Sequence, residues 1–172
     1  MTDKPPDDAE FSDFYEQTSR SLWAYLSRSS QSDSVADDLL QETYFRYLQS
    51  GWRSLQPAER RFYLFRIGTN VLHDHFRRQR RTGFLLGKDV AQTTSGSMTL
   101  KIDLANILRN EMKTRECQLL WLAYAEEFSH REIAQITALR EGSIRPLLFR
   151  ARQKLAALLR AAGYGSKSAR RP

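Results

Sequence analysis

The spacing of the apolar residues most constrains how this 172-residue chain can fold. These residues recur at intervals of three and four rather than in alternation, and this period gathers apolar side chains on one face of an α-helix. Glycine, which weakens helices, occurs only eight times. The pattern therefore predicts an all-α protein.

Breaks in the helical period divide the chain into two small helical domains joined by a flexible linker. The period is strong over residues 11–81 and returns over residues 104–162, whereas residues 82–103 lose it and are rich in Thr, Ser and Gly. We expect residues 1–10 to be disordered and residues 163–172 to form a basic tail. Each domain would have a thin core, and helices are an economical way to build one.

Three helices are expected in the first domain. They cover about residues 11–28, residues 34–49 with Ser34 as the N-terminal cap, and residues 58–79, and the loop GWRSLQPAE precedes the third. On the second helix the predicted apolar stripe consists of Leu40, Tyr44 and Leu48, with Leu39 and Tyr47 beside it. The acids of this helix cannot all face the core, so they make a polar, acidic surface.

The second domain contains a sharper local signal, the segment FSHRE. Ser129 and Glu132 have the spacing of a capping box, so a short helix is predicted to start at residue 130. A turn over residues 138–140 and a longer helix from Glu141 complete a helix-turn-helix pattern. A plain helical hairpin with a solvated basic face is the alternative.

Charge is distributed unevenly along the chain, although the total is +7. Residues 1–50 hold ten acids and four bases, residues 59–81 hold seven arginines and two acids, and residues 128–172 hold ten bases and two acids. An acidic block followed by two separate basic blocks indicates two kinds of partner surface, and the basic blocks favour nucleic acid.

Two segments together resemble the extracytoplasmic-function (ECF) group of bacterial sigma factors. The first is VADDLLQETYFRYL with FYLFRIGTNVLHDHFRRQRR, and the second is FSHREIAQITALREGSIRPLLFRARQKL. The resemblance implies a protein without catalytic activity that binds RNA polymerase core, directs it to specific promoters and assists DNA melting. A stand-alone helix-turn-helix regulator of transcription is the alternative.

The resemblance also implies roles for individual residues. Contacts to the clamp helices of the polymerase largest subunit are expected from Asp37, Asp38, Gln41 and Glu42. Contacts to the minus-ten element and its separated strands are expected from Trp52, Arg66, Asn70, Arg77, Arg78 and Arg80. Contacts to the minus-thirty-five element are expected from Arg145, Phe149, Arg150 and Arg152. For Tyr63 and Phe65, a place in the core and a place on the DNA are both open.

The second domain departs from the family pattern at several positions. Pro146 stands where a small polar residue is usual, Leu147 where a basic or polar one is common, and Ala138 where the turn has glycine. Proline removes one backbone N–H and disfavours a helix interior. These departures bear on how the recognition helix docks and which bases it reads.

Further partners and sites were considered from the sequence. The family often works with an anti-sigma factor, so such a partner is expected, whereas no cofactor and no membrane insertion are. A single cysteine, Cys117, fits a cytoplasmic protein and is expected in the core. His73 and His75 point about 200° apart on a helix, so they do not make a metal site.

Overall fold

The computed structural model describes residues 6–86 and 110–164, and side chains within 9–83 and 110–164. Every regular element in these ranges is helical, which confirms the all-α prediction. Contacts divide the chain into two units, Met1–Arg81 and Thr82–Pro172. The expected linker beyond residue 86, the first five residues and the tail beyond residue 164 lie outside the described residues, so those expectations stay predictions.

The described part of the first unit is built from three long helices and one short turn. Helix α1 spans Pro6–Ser30 and helix α2 spans Asp33–Gln49. A 3₁₀ turn, Trp52–Ser54, follows, and helix α3 spans Pro57–Leu86.

Helices α1 and α3 are longer than the sequence suggested. Helix α1 begins five residues before Phe11, because Pro6 occupies the first helical position, where no N–H is needed. Helix α3 continues past Gln79 to Leu86. Adding residues to an established helix avoids the cost of nucleation, so Gly83 does not end it.

Helix α2 is capped two residues earlier than expected. Ser32, not Ser34, has the extended cap conformation, and its hydroxyl accepts a hydrogen bond of 3.3 Å from the Val35 N–H. The segment QSDS offers two serines as caps. The Ser27 hydroxyl also donates a hydrogen bond to the carboxylate of Asp33, the first helical residue. This bond favours a helix start at Asp33, with Ser32 as its cap.

The core of the first unit lies where α3 crosses the other two helices. Leu22 and Leu26 of α1 and Leu64 of α3 are fully buried, and burial of each such side chain contributes about 1.5–3 kcal/mol. Gly68 allows this close packing, since a Cβ there would lie 3.1 Å from a Leu22 methyl group. The Tyr25 and Thr69 hydroxyls are hydrogen-bonded at 2.7 Å, which satisfies both inside the core.

The second unit contains three described α-helices. Helix α4 spans Thr114–Leu120 and runs into a π-helical segment, Trp121–Ala125. Helix α5 spans His130–Thr137 and helix α6 spans Glu141–Leu159. A second π-helical segment, Arg160–Tyr164, follows.

Helices α4, α5 and α6 enclose a small apolar core. Leu119, Ile133 and Ile144 are almost completely buried, one from each helix. Cys117 is buried as well, which confirms its predicted place in the core. At the rim, the Lys154 ammonium lies 2.8 Å from the Glu116 carboxylate and joins α6 to α4.

Candidate docking and DNA-binding surfaces

The acidic residues of α2 share one side of the helix. Asp37, Asp38 and Gln41 are exposed and Glu42 is half-buried, as a docking surface requires. Asp37 accepts a hydrogen bond of 2.7 Å from the Trp23 indole N–H of α1, so this carboxylate has a fixed direction.

The same side of α2 exposes two large apolar side chains that sequence reasoning missed. Phe45 is 57% exposed and Leu48 is 42% exposed. At 100° per residue they fall in line with Asp38 and Gln41. We call these four residues the α2 docking face.

The expected apolar stripe of α2 was therefore wrong at Leu48, and Leu40 is only half-buried. The core is filled instead by Leu39, Tyr44 and Tyr47. The tyrosines bury more area than leucine and set the rotation of the helix. The run YFRYL could have predicted that Phe45 is exposed, because Phe45 cannot point in the same direction as the residues on either side of it.

An ion-pair network joins α2 to α3 beside the docking face. The Arg46 guanidinium lies 2.6 Å from Glu42 and 3.3 Å from Asp74, and Arg77 lies 2.8 Å from the other oxygen of Asp74. The hydrogen bond that Arg46 donates to Glu42, with the one it donates to Asp74, raises the pKa of Arg46 against the opposing effect of burial. Glu42 is thus held by its neighbour as well as available to a partner.

Next to this network, partial burial lowers the pKa of His75, and the Arg78 charge lowers it further, while Asp38 opposes both. His75 is therefore neutral near pH 7. The described residues contain no group of three metal-ligating side chains, and His73 is exposed whereas His75 is half-buried.

The arginine-rich helix α3 exposes all five of its predicted contact residues. Arg66, Asn70, Arg77 and Arg80 lie within about 80° of one another around the helix. We call these four residues the α3 basic stripe, which extends about 20 Å along the axis. Arg78 is exposed too but points about 100° away from this stripe.

Trp52, expected to meet an extruded base, is completely buried, so in this structure its ring cannot stack on nucleic acid. The ring stacks on Tyr47 with centroids 5.5 Å apart, and the guanidinium carbons of Arg53 and Arg60 lie 4.9 and 5.0 Å from its centre. The expectation of a direct contact is corrected accordingly. Trp52 anchors the turn before α3, and the exposed Arg53 is the side chain that this turn presents.

The aromatic cluster around Trp52 is tightly closed. Burial raises the pKa of Tyr47 to about 12, and its hydroxyl and the Trp52 indole N–H have no hydrogen-bond partner among the described residues. Of the two aromatic residues left open by the sequence, Phe65 is buried, so it belongs to the core. Tyr63 is half-buried, with its ring centroid 6.2 Å from that of Tyr47.

The capping box of the second unit has formed as predicted. The Ser129 hydroxyl accepts from the Glu132 N–H at 3.3 Å, and the Ser129 N–H donates to the Glu132 carboxylate at 2.8 Å. Helix α5 ends at Ala138, which has the left-handed φ of 55°. The N–H groups of Ala138 and Leu139 both donate to the Ala134 carbonyl, which closes the end of α5.

Helix α6 exposes all of its predicted contact residues. Arg145, Phe149 and Arg152 form one row, and Arg150 points about 100° away from Phe149. The row borders a groove of about 570 Å³ that is also lined by Tyr124 and His130.

Tyr124 and His130 are further candidates that the sequence analysis did not identify. Tyr124 is 55% exposed, and its hydroxyl accepts a hydrogen bond of 3.2 Å from Arg152, which directs that guanidinium. His130 is exposed at the first position of α5, where helix N–H groups favour anions.

Two parts of the chain match families of known function. Residues 14–82 match sigma-70 region 2, and residues 110–155 match sigma-70 region 4. The chain is therefore a sigma factor of the sigma-70 family.

Two curated relatives are ECF RNA polymerase sigma factors, and together with the region 2 and region 4 matches they place this sigma factor in the ECF group. It is 25% identical to the ECF RNA polymerase sigma factor SigM of Bacillus subtilis, over 85% of this chain and 93% of the relative. It is 28% identical to the ECF RNA polymerase sigma factor BldN of Streptomyces coelicolor, over 87% of this chain and 60% of the relative.

The fold also has a solved counterpart. The sigma factor RpoE of Bartonella quintana, solved in complex with the anti-sigma factor NepR, superposes with a TM-score of 0.75. That likeness covers 88% of this chain and 97% of the other at 23% identity, so it shows the fold alone.

The candidate surfaces of the sigma factor fall inside the matched regions. The α2 docking face and the α3 basic stripe lie within the region 2 match, and the exposed row of α6 lies within the region 4 match. No helix among the described residues is both long and apolar enough to cross a membrane.

Proposed function

We propose that this sigma factor binds RNA polymerase core, directs it to specific promoters and assists DNA melting, with three separate surfaces for the three tasks. The observation that carries the proposal is the pairing of matches to regions 2 and 4 with an acidic docking surface and two basic ones. Sigma factors in general are not enzymes, and we expect no catalytic activity from this one. The stand-alone regulator is not favoured by the match to region 2.

The α2 docking face would contact the clamp helices of the polymerase largest subunit, together with Asp37 and Glu42. Charge complementarity speeds encounter and fixes orientation more than it adds affinity. The exposed Phe45 and Leu48 would supply the affinity, since large side chains that become buried dominate the energy of most interfaces. Apolar residues framed by acids suit a partner that is basic and partly apolar.

The α3 basic stripe would bind the minus-ten element. Unstacking DNA costs on the order of 1–2 kcal/mol per step, and basic side chains along a separated strand offset that cost. Arg66 and Asn70 would lie nearer the packed half of α3, and Arg77 and Arg80 would follow the strand toward its end. Arg78 points elsewhere and would contact a neighbouring phosphate.

The turn at Trp52 supports the same surface in a different way from that expected. Its ring is buried between aromatic and guanidinium groups, so it would hold the turn rigid while Arg53 approaches the DNA. A rigid turn reduces the conformational entropy lost when the extruded base is bound.

Helix α6 would lie in the major groove at the minus-thirty-five element, with the capped start of α5 against the backbone. Arg145 and Arg150 would contact base edges or phosphates, and Arg152 would contact a phosphate. Because Tyr124 holds the Arg152 side chain, that contact would be oriented before binding.

Control by an anti-sigma factor is proposed on the same basis. The sigma factor RpoE of Bartonella quintana was solved with such a partner, and its fold matches this chain closely. We propose that this chain also has an anti-sigma partner, and that it acts in the cytoplasm, where RNA polymerase core is found.

Reconstituted transcription tests the proposal. Core polymerase mixed with the full chain is expected to start transcripts from a cognate promoter selected from genomic fragments. The double variant Gln41→Ala with Glu42→Lys is expected to weaken holoenzyme assembly by at least tenfold. Glu16→Lys, an identical charge change at an exposed position of α1, is the matched control and should assemble normally.

Two results would count against the assignment. Normal assembly by the double variant would refute the docking face, and no transcript from any promoter would refute the function itself. Footprinting of the chain alone on duplex DNA distinguishes the proposed sigma factor function from the alternative, because a stand-alone regulator would protect a site without polymerase.

A further inference from the structure

The exposed surface of α6 is not uniformly basic. Arg145, Pro146, Phe149 and Arg150 are all exposed, and Phe149 remains 54% exposed despite its size. Residues three or four apart on a helix are neighbours, so these four form a compact patch. Arg145 and Arg150 lie at the two ends of this patch, and the apolar Pro146 and Phe149 lie next to each other between them.

Pro146 is an unusual residue for the middle of this helix. Having no N–H, it cannot form the usual hydrogen bond to the Gly142 carbonyl one turn back, and its ring crowds that carbonyl. The ring is exposed, so it does not repay this by packing in the core. Gly142 itself is exposed, and no side chain lies within 4 Å of its Cβ position.

The chemistry of the patch limits what it can recognise on DNA. Neither Pro146 nor Phe149 can exchange hydrogen bonds with a base edge, since neither side chain has a donor or acceptor and proline lacks its amide hydrogen. In the major groove the one apolar group that distinguishes a base is the 5-methyl group of thymine. The adjoining arginines suit guanine edges and phosphates.

On the basis of the proposed function, on which this inference rests, we propose that Pro146 and Phe149 determine specificity at the upstream promoter element by contacting thymine methyl groups. Each apolar side chain faces one thymine, on either strand, and Arg145 and Arg150 hold the bases or phosphates beside it. The groove of about 570 Å³ next to Phe149, lined also by Tyr124 and His130, gives the adjacent DNA backbone room to approach. The upstream element is therefore read partly by shape and methyl contact rather than wholly by hydrogen bonds.

Replacement of thymine by uracil tests this directly, because uracil lacks only the methyl group. Holoenzyme made from core polymerase and the full chain first selects promoters from DNA randomised in the upstream region. Each thymine of the selected element is then replaced singly by uracil, and the equilibrium affinity of holoenzyme for the duplex is measured. Affinity should fall about fourfold at one or two positions, the value for one buried methyl group, and stay unchanged at other thymines.

Two variants test which residue contacts each thymine whose replacement by uracil weakens binding. With Pro146→Ser the ratio of thymine to uracil affinity should fall from about four to about one at one position, and with Phe149→Ala it should do so at the other. Ala157→Ser is the matched control, since residue 157 is exposed on the same helix three turns further along and should leave both ratios unchanged. Circular dichroism of each variant checks that the helices remain folded.

The inference is overturned if the selected upstream element contains no thymine, if uracil is accepted everywhere, or if both variants keep the fourfold ratio. These outcomes all leave promoter-dependent initiation by the wild-type chain intact. A wild-type chain that fails to program core polymerase at any promoter would instead refute the proposed function, and the two failures are thus distinguishable.

Discussion

Replacing Ala138 by glycine should stabilise the helix-turn-helix. Ala138 ends α5 with φ of 55° and ψ of 36°, a left-handed conformation that costs a residue with a Cβ about 1–2 kcal/mol. Its methyl group is exposed, so no packing is lost on removal. Glycine adds about 0.4–1 kcal/mol of entropy to the unfolded chain, which leaves a net stabilisation of about 0.5–1 kcal/mol.

Hydrogen exchange of peptides covering α5 and α6 measures this change within the second unit. The slowest amides should exchange about two to five times more slowly in Ala138→Gly, because 1.4 kcal/mol corresponds to a factor of ten. Ala157→Gly, the same change inside α6, should have the opposite sign, since glycine there loses entropy without relieving strain. Equal or faster exchange in Ala138→Gly would refute the strain argument.

Three further predictions concern other parts of the chain. Glu127→Gly, at a second left-handed residue with φ of 56°, should slow exchange in the same peptides by a similar factor. Burial raises the pKa of Glu116, but bonds from Lys154 and the Lys113 N–H outweigh it, so the pKa is lowered. The stabilisation from this carboxylate is therefore present above the pKa that it has in the unfolded chain, and it is lost as the pH falls through its pKa in the folded protein. Glu116→Gln should lower the free energy of unfolding in urea by about 1 kcal/mol near pH 7, and by less as the pH drops below 4.5. Phe45→Ser should weaken polymerase pull-down severalfold without lowering the melting temperature, and a lowered melting temperature would contradict its exposure.

Local signals in the sequence were sufficient for the second unit. The capping box at Ser129 depends on four consecutive residues and on hydrogen bonds that those residues make themselves, so it formed as predicted. The start of α6 at Glu141 was predicted from the brief turn over residues 138–140 and the helical spacing of apolar residues after it. Tyr124 escaped notice because its partner Arg152 lies 28 positions away and only the packing of α6 brings them together.

Packing decided the features that the sequence did not reveal in the first unit. Tyr47 and Trp52 stack on one another, and this pairing both buries the tryptophan and rotates Leu48 outward. The local period allows Leu48 or Tyr47 to face the core, and the choice depends on which side chain fills the volume left by its neighbours. Residue-level roles on the DNA and polymerase surfaces stay predictions.

The two halves of α3 are stabilised by different interactions, and this explains how an exposed basic segment can remain helical. Leu64, Phe65 and Leu72 are buried in the first half, whereas none of residues 73–83 is buried. A segment with so many arginines and no packed face would not nucleate a helix alone. The packed half supplies the nucleus, and the contact between Arg46 and Asp74 holds the first turn beyond it. The arginines therefore need no core contacts of their own, which leaves them exposed for the contacts that we propose with the phosphates of a separated strand.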